Sequence, residues 1–191
     1  MGKLNNYIIV SVISSLVWLL VPVFQRKSKY FYFFVILGFS GLYGLLFLIF
    51  NIPIPSRTII AVSLLIVPGL YKGFFRKYIY QLIIIGILLY FITAYIPIKI
   101  IQVIGLINFC IAEILLAMQL ISFYKNKRKI NLFFGLVGFY NFLNIVKFIY
   151  LLVFVASGLV EYFIITVVQI LLGIFFIIAS EDDPVMSKKF N

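Results

Sequence analysis

Between residues 6 and 180 the chain is a succession of long apolar runs separated by short polar bursts, and this constrains the fold more than any other feature. A membrane-spanning helix needs about 20 consecutive, mostly apolar residues. Seven runs meet or approach that length: 6–24, 31–51, 57–72, 78–96, 98–124, 131–155 and 160–180. The third is short, and Pro68 and Gly69 blur its end; if 57–72 is re-entrant, the count falls to six. The sequence therefore predicts an all-α polytopic membrane protein with one helical bundle over residues 1–180 and a polar, disordered cytoplasmic tail at 181–191. Soluble domains are about 25% charged. This chain is 11% charged and 65% hydrophobic, too greasy to cover a water-facing surface.

The charges carry orientation. The net charge is +11, but the basic residues fall in loops rather than on one amphipathic face, so nucleic acid is not expected as a partner. "QRKSK" (25–29) and "YKGFFRK" (71–77) carry three cations each, and "KNKRK" (125–129) carries four. The alternate connections hold only Lys3, Arg57, Lys99 and Glu161. Basic loops stay on the cytoplasmic side. This alternation predicts the N-terminus outside, the C-terminus inside, and residence in the cytoplasmic (inner) or an equivalent cell membrane.

Residues 24–39, "FQRKSKYFYFFVILGF", align with 124–139, "YKNKRKINLFFGLVGF", at an offset of 100. Two apolar helices after basic loops resemble one another in any case. If the offset is a true repeat, spans one to three mirror spans five to seven around a linking fourth span.

Polar residues inside the runs mark candidate function. Glu113 lies in "NFCIAEILLAMQL" (108–120) and Lys147 lies in the sixth run. Counted from the ends of their runs that share one side, they sit about 16 and 24 Å deep at 1.5 Å per residue. Each charge alone costs at least about 2.5 kcal/mol to insert. The expected remedy is a Glu113–Lys147 ion pair between adjacent helices, either structural or part of a solute path. At 100° per residue, Tyr140 and Asn144 share a face with Lys147. Tyr162, Thr166, Gln169 and Gly173 share one on the seventh run, and Gln102 aligns with Glu113 on the fifth. Ser11, Ser14, Ser15, Trp18 and Pro22 form a stripe on the first. Such stripes face the bundle interior or a wet cavity. For the serines the expectation is hydrogen bonding between helices. Glu113, Lys147, Asn144, Gln169, Tyr140 and Thr166 are the expected solute or ion path. "GFSGLYG" (38–44) brings glycines at three-residue spacing for close helix packing.

With no histidine, Ser–His proteolysis, histidine-based phosphatase chemistry and histidine haem ligation are excluded. Cys110 and Glu113 alone are too few to hold a metal ion, and one cysteine forms no intrachain disulfide. No enzyme activity and no cofactor are expected. The expected partners are the lipid bilayer and a small solute, with homo-oligomers allowed. The alternative is a non-catalytic subunit or sensor that binds a partner membrane protein.

Seven spans, an outside N-terminus and three-helix parallel repeats resemble the SWEET and PQ-loop group of small transporters. Pro22 stands where that group carries its Pro-Gln pair, but Val23 follows it. The matching place near Leu120 has no proline. Ser63 and Gln169 occupy the regions of the group's sugar-contacting asparagines. The resemblance thus implies the fold and small-solute transport, without sugar as the implied cargo.

Overall fold

The computed structural model describes residues 2–50, 62–93, 95–153, 159–181 and 187–189. Residues 57–61 of the third expected span, the connection carrying Arg57, residues 154 and 155 of the sixth span, and tail residues 182–186 lie outside the described residues. About 86% of the described residues are helical, so the all-α class holds. The helices are α1 (Gly2–Phe24), α2 (Phe31–Phe50), α3 (Ile66–Gly69), α4 (Lys72–Lys77), α5 (Ile79–Thr93), α6 (Ile98–Lys127), α7 (Leu132–Val153) and α8 (Leu159–Ile178).

Three stretches are long and apolar enough to cross a membrane: α6 throughout, Leu132–Tyr150 of α7 and Val160–Ile178 of α8. The apolar stretches Ile8–Phe24, Phe31–Leu42 and Ile79–Thr93 are shorter. These helices make the chain a membrane protein. In hydrocarbon each backbone N–H and C=O must be satisfied within the protein, which is why runs of this kind become helices.

Small residues set the closest approaches. Gly38 of α2 lies against α1, where an added Cβ would stand 3.0 Å from the Trp18 carbonyl oxygen and 3.2 Å from Pro22 Cγ. Gly41 meets Ser15 in the same way, at 3.2 Å. Gly173 of α8 faces Val17 and Trp18 of α1. Thus α1 packs on both α2 and α8, α6 packs on α7 and on α3, and α2 and α7 pack on α3 and α8 respectively. By contrast, α5 stands away from the bundle and buries only Leu82 and Thr93.

The tightest core lies toward the lysine-rich end. Tyr30, Phe33, Phe34, Phe133 and Phe176 are all fully buried. Phe176 of α8 contacts Phe34 at 5.1 Å and Phe133 at 5.2 Å between ring centroids. Aromatic pairs at such separations add to the area they bury.

Polar side chains fasten the same end. Gln25 Nε2 donates to the Phe176 and Ala179 carbonyls, the second at 2.6 Å, which satisfies acceptors left open where α8 ends. The Glu181 carboxylate accepts from Ser28 Oγ at 2.7 Å and from the Lys29 backbone N–H at 2.9 Å. Lys72 Nζ donates to the Arg26 and Ser28 carbonyls at 3.0 and 3.2 Å. Burial lowers the Lys29 ammonium pKa from its ordinary value, against the opposing field of Glu181.

The tail departs from expectation. Ser187–Lys189 (β2) pairs antiparallel with Lys129–Asn131 (β1), register Lys129↔Lys189 and Asn131↔Ser187. The reason is local: Arg128 adopts a left-handed φ of 50° after α6, and the next three residues are extended, which leaves a free strand edge. Asn131 then accepts from the Phe134 N–H and starts α7.

Candidate functional site

The polar stripes of separate helices open onto one cavity of about 440 Å³ near the middle of the bundle. That volume lies within the range of small-molecule sites. From α1 come Ser11, Ser14, Ser15 and Trp18; Gly38 and Gly41 of α2 bring this face close enough for Ser40 to join. The third run adds Ser63 and α6 adds Gln102 and Phe109. From α7 come Tyr140, Asn144, Lys147 and Phe148, and from α8 Tyr162, Thr166 and Gln169. The serine stripe therefore does more than join helices: its hydroxyls line a space. Pro22 of that stripe is not among the lining residues; it packs against Gly38.

The far wall is a connected polar surface. Gln169 Nε2 donates to Asn144 Oδ1 at 3.0 Å, and Asn144 Nδ2 donates to the Tyr140 carbonyl at 3.2 Å. Thr166 Oγ1 donates to the Tyr162 carbonyl at 2.8 Å. Gln169 and Thr166 are buried, so these bonds fix side chains that water does not solvate. The Lys147 ammonium lies over the Tyr162 ring, 4.5 Å from its centroid. A cation over an aromatic face gains electrostatically without a counter-charge, and this accommodates the lysine in an apolar bundle. The Trp18 ring rests on Tyr140 with centroids 4.2 Å apart, and Tyr140 meets Phe33 of the aromatic core at 6.3 Å.

Five of the six expected path residues (Lys147, Asn144, Gln169, Tyr140 and Thr166) line this one cavity. Glu113 does not, and the expected Glu113–Lys147 ion pair is absent among the described residues. Instead, Glu113 Oε2 accepts from Asn141 Nδ2 at 2.9 Å. The same Nδ2 donates to the Phe109 carbonyl at 2.9 Å. Asn141 is fully buried, and its Oδ1 has no partner among the described residues. An added Cβ on Gly138 would stand 3.4 Å from Glu113 Oε1, so the bare α7 backbone there leaves room for the carboxyl group. Two faces of α7 thus serve different tasks: Asn141 holds Glu113, and Lys147 lines the cavity. Asn141 carries a readable signal. Counted from the ends of the same two runs, it lies about 15 Å deep, against about 16 Å for Glu113.

Chemically the cavity is rich in donors. Among its described lining residues Lys147 alone is charged, and the polar remainder consists of hydroxyls, phenols and carboxamides. Such a set receives one anionic group and several hydroxyl or carbonyl oxygens, while Ile36, Leu37 and Phe148 pack the apolar part. No protein-family model, curated protein or solved structure matches the chain.

Proposed function

We propose that this chain is a seven-span protein of the SWEET and PQ-loop plan, with its lysine-rich loops inside the cell, that binds or carries a small anionic solute in its central cavity. The observation that carries the reading is the convergence of polar side chains from α1, α2, α6, α7 and α8 on one space, with Lys147 as the single charge among its described lining residues. An intramembrane charge without a carboxylate partner marks a ligand or ion site. The role is binding rather than catalysis. Lys147 supplies the attraction, and Gln169, Asn144 and the serine hydroxyls set orientation.

The helix pairings support the repeat. Exchanging spans one, two and three for five, six and seven turns α1–α2 into α6–α7 and α2–α3 into α7–α8. It also turns α1–α8 into α6–α3. Gly38 and Gly138, 100 residues apart, each face the preceding long helix, Gly38 toward Trp18 of α1 and Gly138 toward Glu113 of α6. The detached α5 suits the linking fourth span.

A second reading, a subunit that binds a partner membrane protein, draws on α5, which is apolar all round yet exposed at Ile84, Ile87, Leu88 and Phe91. Native mass spectrometry of the protein extracted from its own membranes in mild detergent separates the two. The solute reading expects a releasable small molecule on the wild type, absent from folded Lys147→Met. A stoichiometric second protein, or the same small-molecule content in both forms, overturns it.

A further inference from the structure

Between the detached α5 and the bundle lies a second, larger groove of about 1170 Å³ that the central cavity does not use. Its walls are apolar: Val67, Pro68 and Leu70 on one side, Phe74 and Leu82 on another, Phe123 on the third. Its rim is cationic. Lys29, Lys72 and Lys127 all border it, and no acidic residue does so among the described lining. Gln119, Ser122 and Asn126 add hydrogen-bonding groups along α6.

The three ammonium groups are held in place; among the described residues, Lys29 alone feels a nearby carboxylate, that of Glu181, which does not line the groove. Lys29 Nζ sits 3.5 Å from the centroid of Phe134, and Lys127 Nζ sits 5.3 Å from that of Phe123. Lys72 Nζ rests on the carbonyls of the 26–28 turn. An ammonium has three donors and no acceptor; Lys72 directs its three to the turn and so offers the groove its charge rather than a hydrogen bond. The helices flanking the groove turn apolar side chains outward, Ile83 and Ile84 on α5 and Ile114 and Met118 on α6, all more than half exposed. The groove therefore opens sideways toward acyl chains, with its charged rim at the lysine-rich end.

We infer that this groove is a binding site for an anionic membrane phospholipid, the phosphate at Lys29, Lys72 and Lys127 and an acyl chain along Leu82, Val67 and Phe123. Charge complementarity selects the headgroup: basic pockets between spanning helices hold anionic lipid heads by the same physics. The apolar walls select an amphiphile over free phosphate, which has nothing to place against them. The site is independent of the solute cavity, since the two share no lining residue.

The test is native mass spectrometry of the full chain in non-ionic detergent, titrated with palmitoyl-oleoyl phosphatidylglycerol or with phosphatidylcholine of the same chains. One phosphatidylglycerol is expected to bind in preference to phosphatidylcholine. Lys127→Gln is expected to cut that preference about fivefold, the share one lysine carries beside an anionic headgroup. Ser122→Phe, which fills the groove and leaves all charges in place, is expected to remove the tight adduct while helicity stays native. Lys99→Gln, at the opposite end of α6, should change nothing. Equal adducts of the two lipids, a loss with Lys99→Gln matching that with Lys127→Gln, or a dimer that binds no lipid would overturn the assignment. Competition by millimolar inorganic phosphate alone would do so as well, because it would make the acyl chain irrelevant.

Discussion

Asn141→Leu is the most informative single change, because it separates the contact the fold uses from the ion pair that the sequence suggests. The asparagine donates two bonds of 2.9 Å, to the Phe109 carbonyl and to Glu113 Oε2. Hydrogen bonds between membrane helices average about 0.6 kcal/mol, so the two together contribute about 1.2 kcal/mol. Their loss also leaves a carboxyl oxygen facing an apolar side chain, which adds about 1–3 kcal/mol. The expected destabilisation is therefore about 2–4 kcal/mol, most of it from the stranded glutamate. Glu113→Gln should be close to neutral: its carbonyl accepts the same bond, and its new N–H₂ can serve the unpartnered Asn141 Oδ1. The assay is reversible unfolding in mixed micelles at rising dodecyl sulfate fraction. Fluorescence of Trp18, the single tryptophan, follows it from its stack on Tyr140. Asn141→Leu combined with Glu113→Leu should cost less than the sum of the single changes by about 1 kcal/mol or more, whereas Lys147→Met with Glu113→Leu should add within about 0.5 kcal/mol. Coupling of Glu113 to Lys147 and none to Asn141 would refute the assignment.

Gly38→Leu forces a side chain into the 3.0 Å approach to the Trp18 carbonyl and should cost about 1–3 kcal/mol in melting experiments, while Gly135→Ala, with nothing within 4 Å, should be neutral or stabilising by up to about 1 kcal/mol. In a Cys110→Ala background, Ser14→Cys should react with a membrane-impermeant methanethiosulfonate and Leu16→Cys, on the outer face of α1, should not; no labelling of Ser14→Cys in the folded protein would mean that the cavity is dry. Glu181→Ala removes the acceptor that orders Ser28 and Lys29 and should raise the rate of tryptic cleavage at 26–29; an unchanged rate would show that Lys72 holds the turn alone.

The faces of the helices were legible in the sequence because they depend only on the 100° step. That step groups Tyr140, Asn144 and Lys147 on one face of α7 and Tyr162, Thr166 and Gln169 on one face of α8, and both faces line the cavity. Which residue meets Glu113 was not, because partner choice depends on depth and on the azimuth of the neighbouring helix. Lys147 lies about one and a half turns too deep, and the depth that Asn141 shares with Glu113 does not say which side of α6 it meets. The lysine-rich end was legible as charge alone. That Gln25 would cap α8, and Glu181 the 25–29 turn, depends on contacts between residues more than 150 positions apart. No local pattern encodes such a contact. The β1–β2 pairing was hidden for the same reason, since "SKK" has no strand character until an open edge is beside it.

The seating of α1 against α8 sets a timetable for the chain's birth. Gln25 reaches Phe176 across 151 positions of sequence. At about 5–20 residues per second, the ribosome needs about 8–30 s to make the intervening chain. Throughout that interval α1 lacks its later neighbour, and the Val17 and Trp18 face that Gly173 will meet is uncovered. A nascent chain in this state offers that face to any passing helix, while the Gly38–Gly41 seam is already filled by α1. Its first helix must therefore be tolerated half-dressed by the membrane before the last one closes the ring.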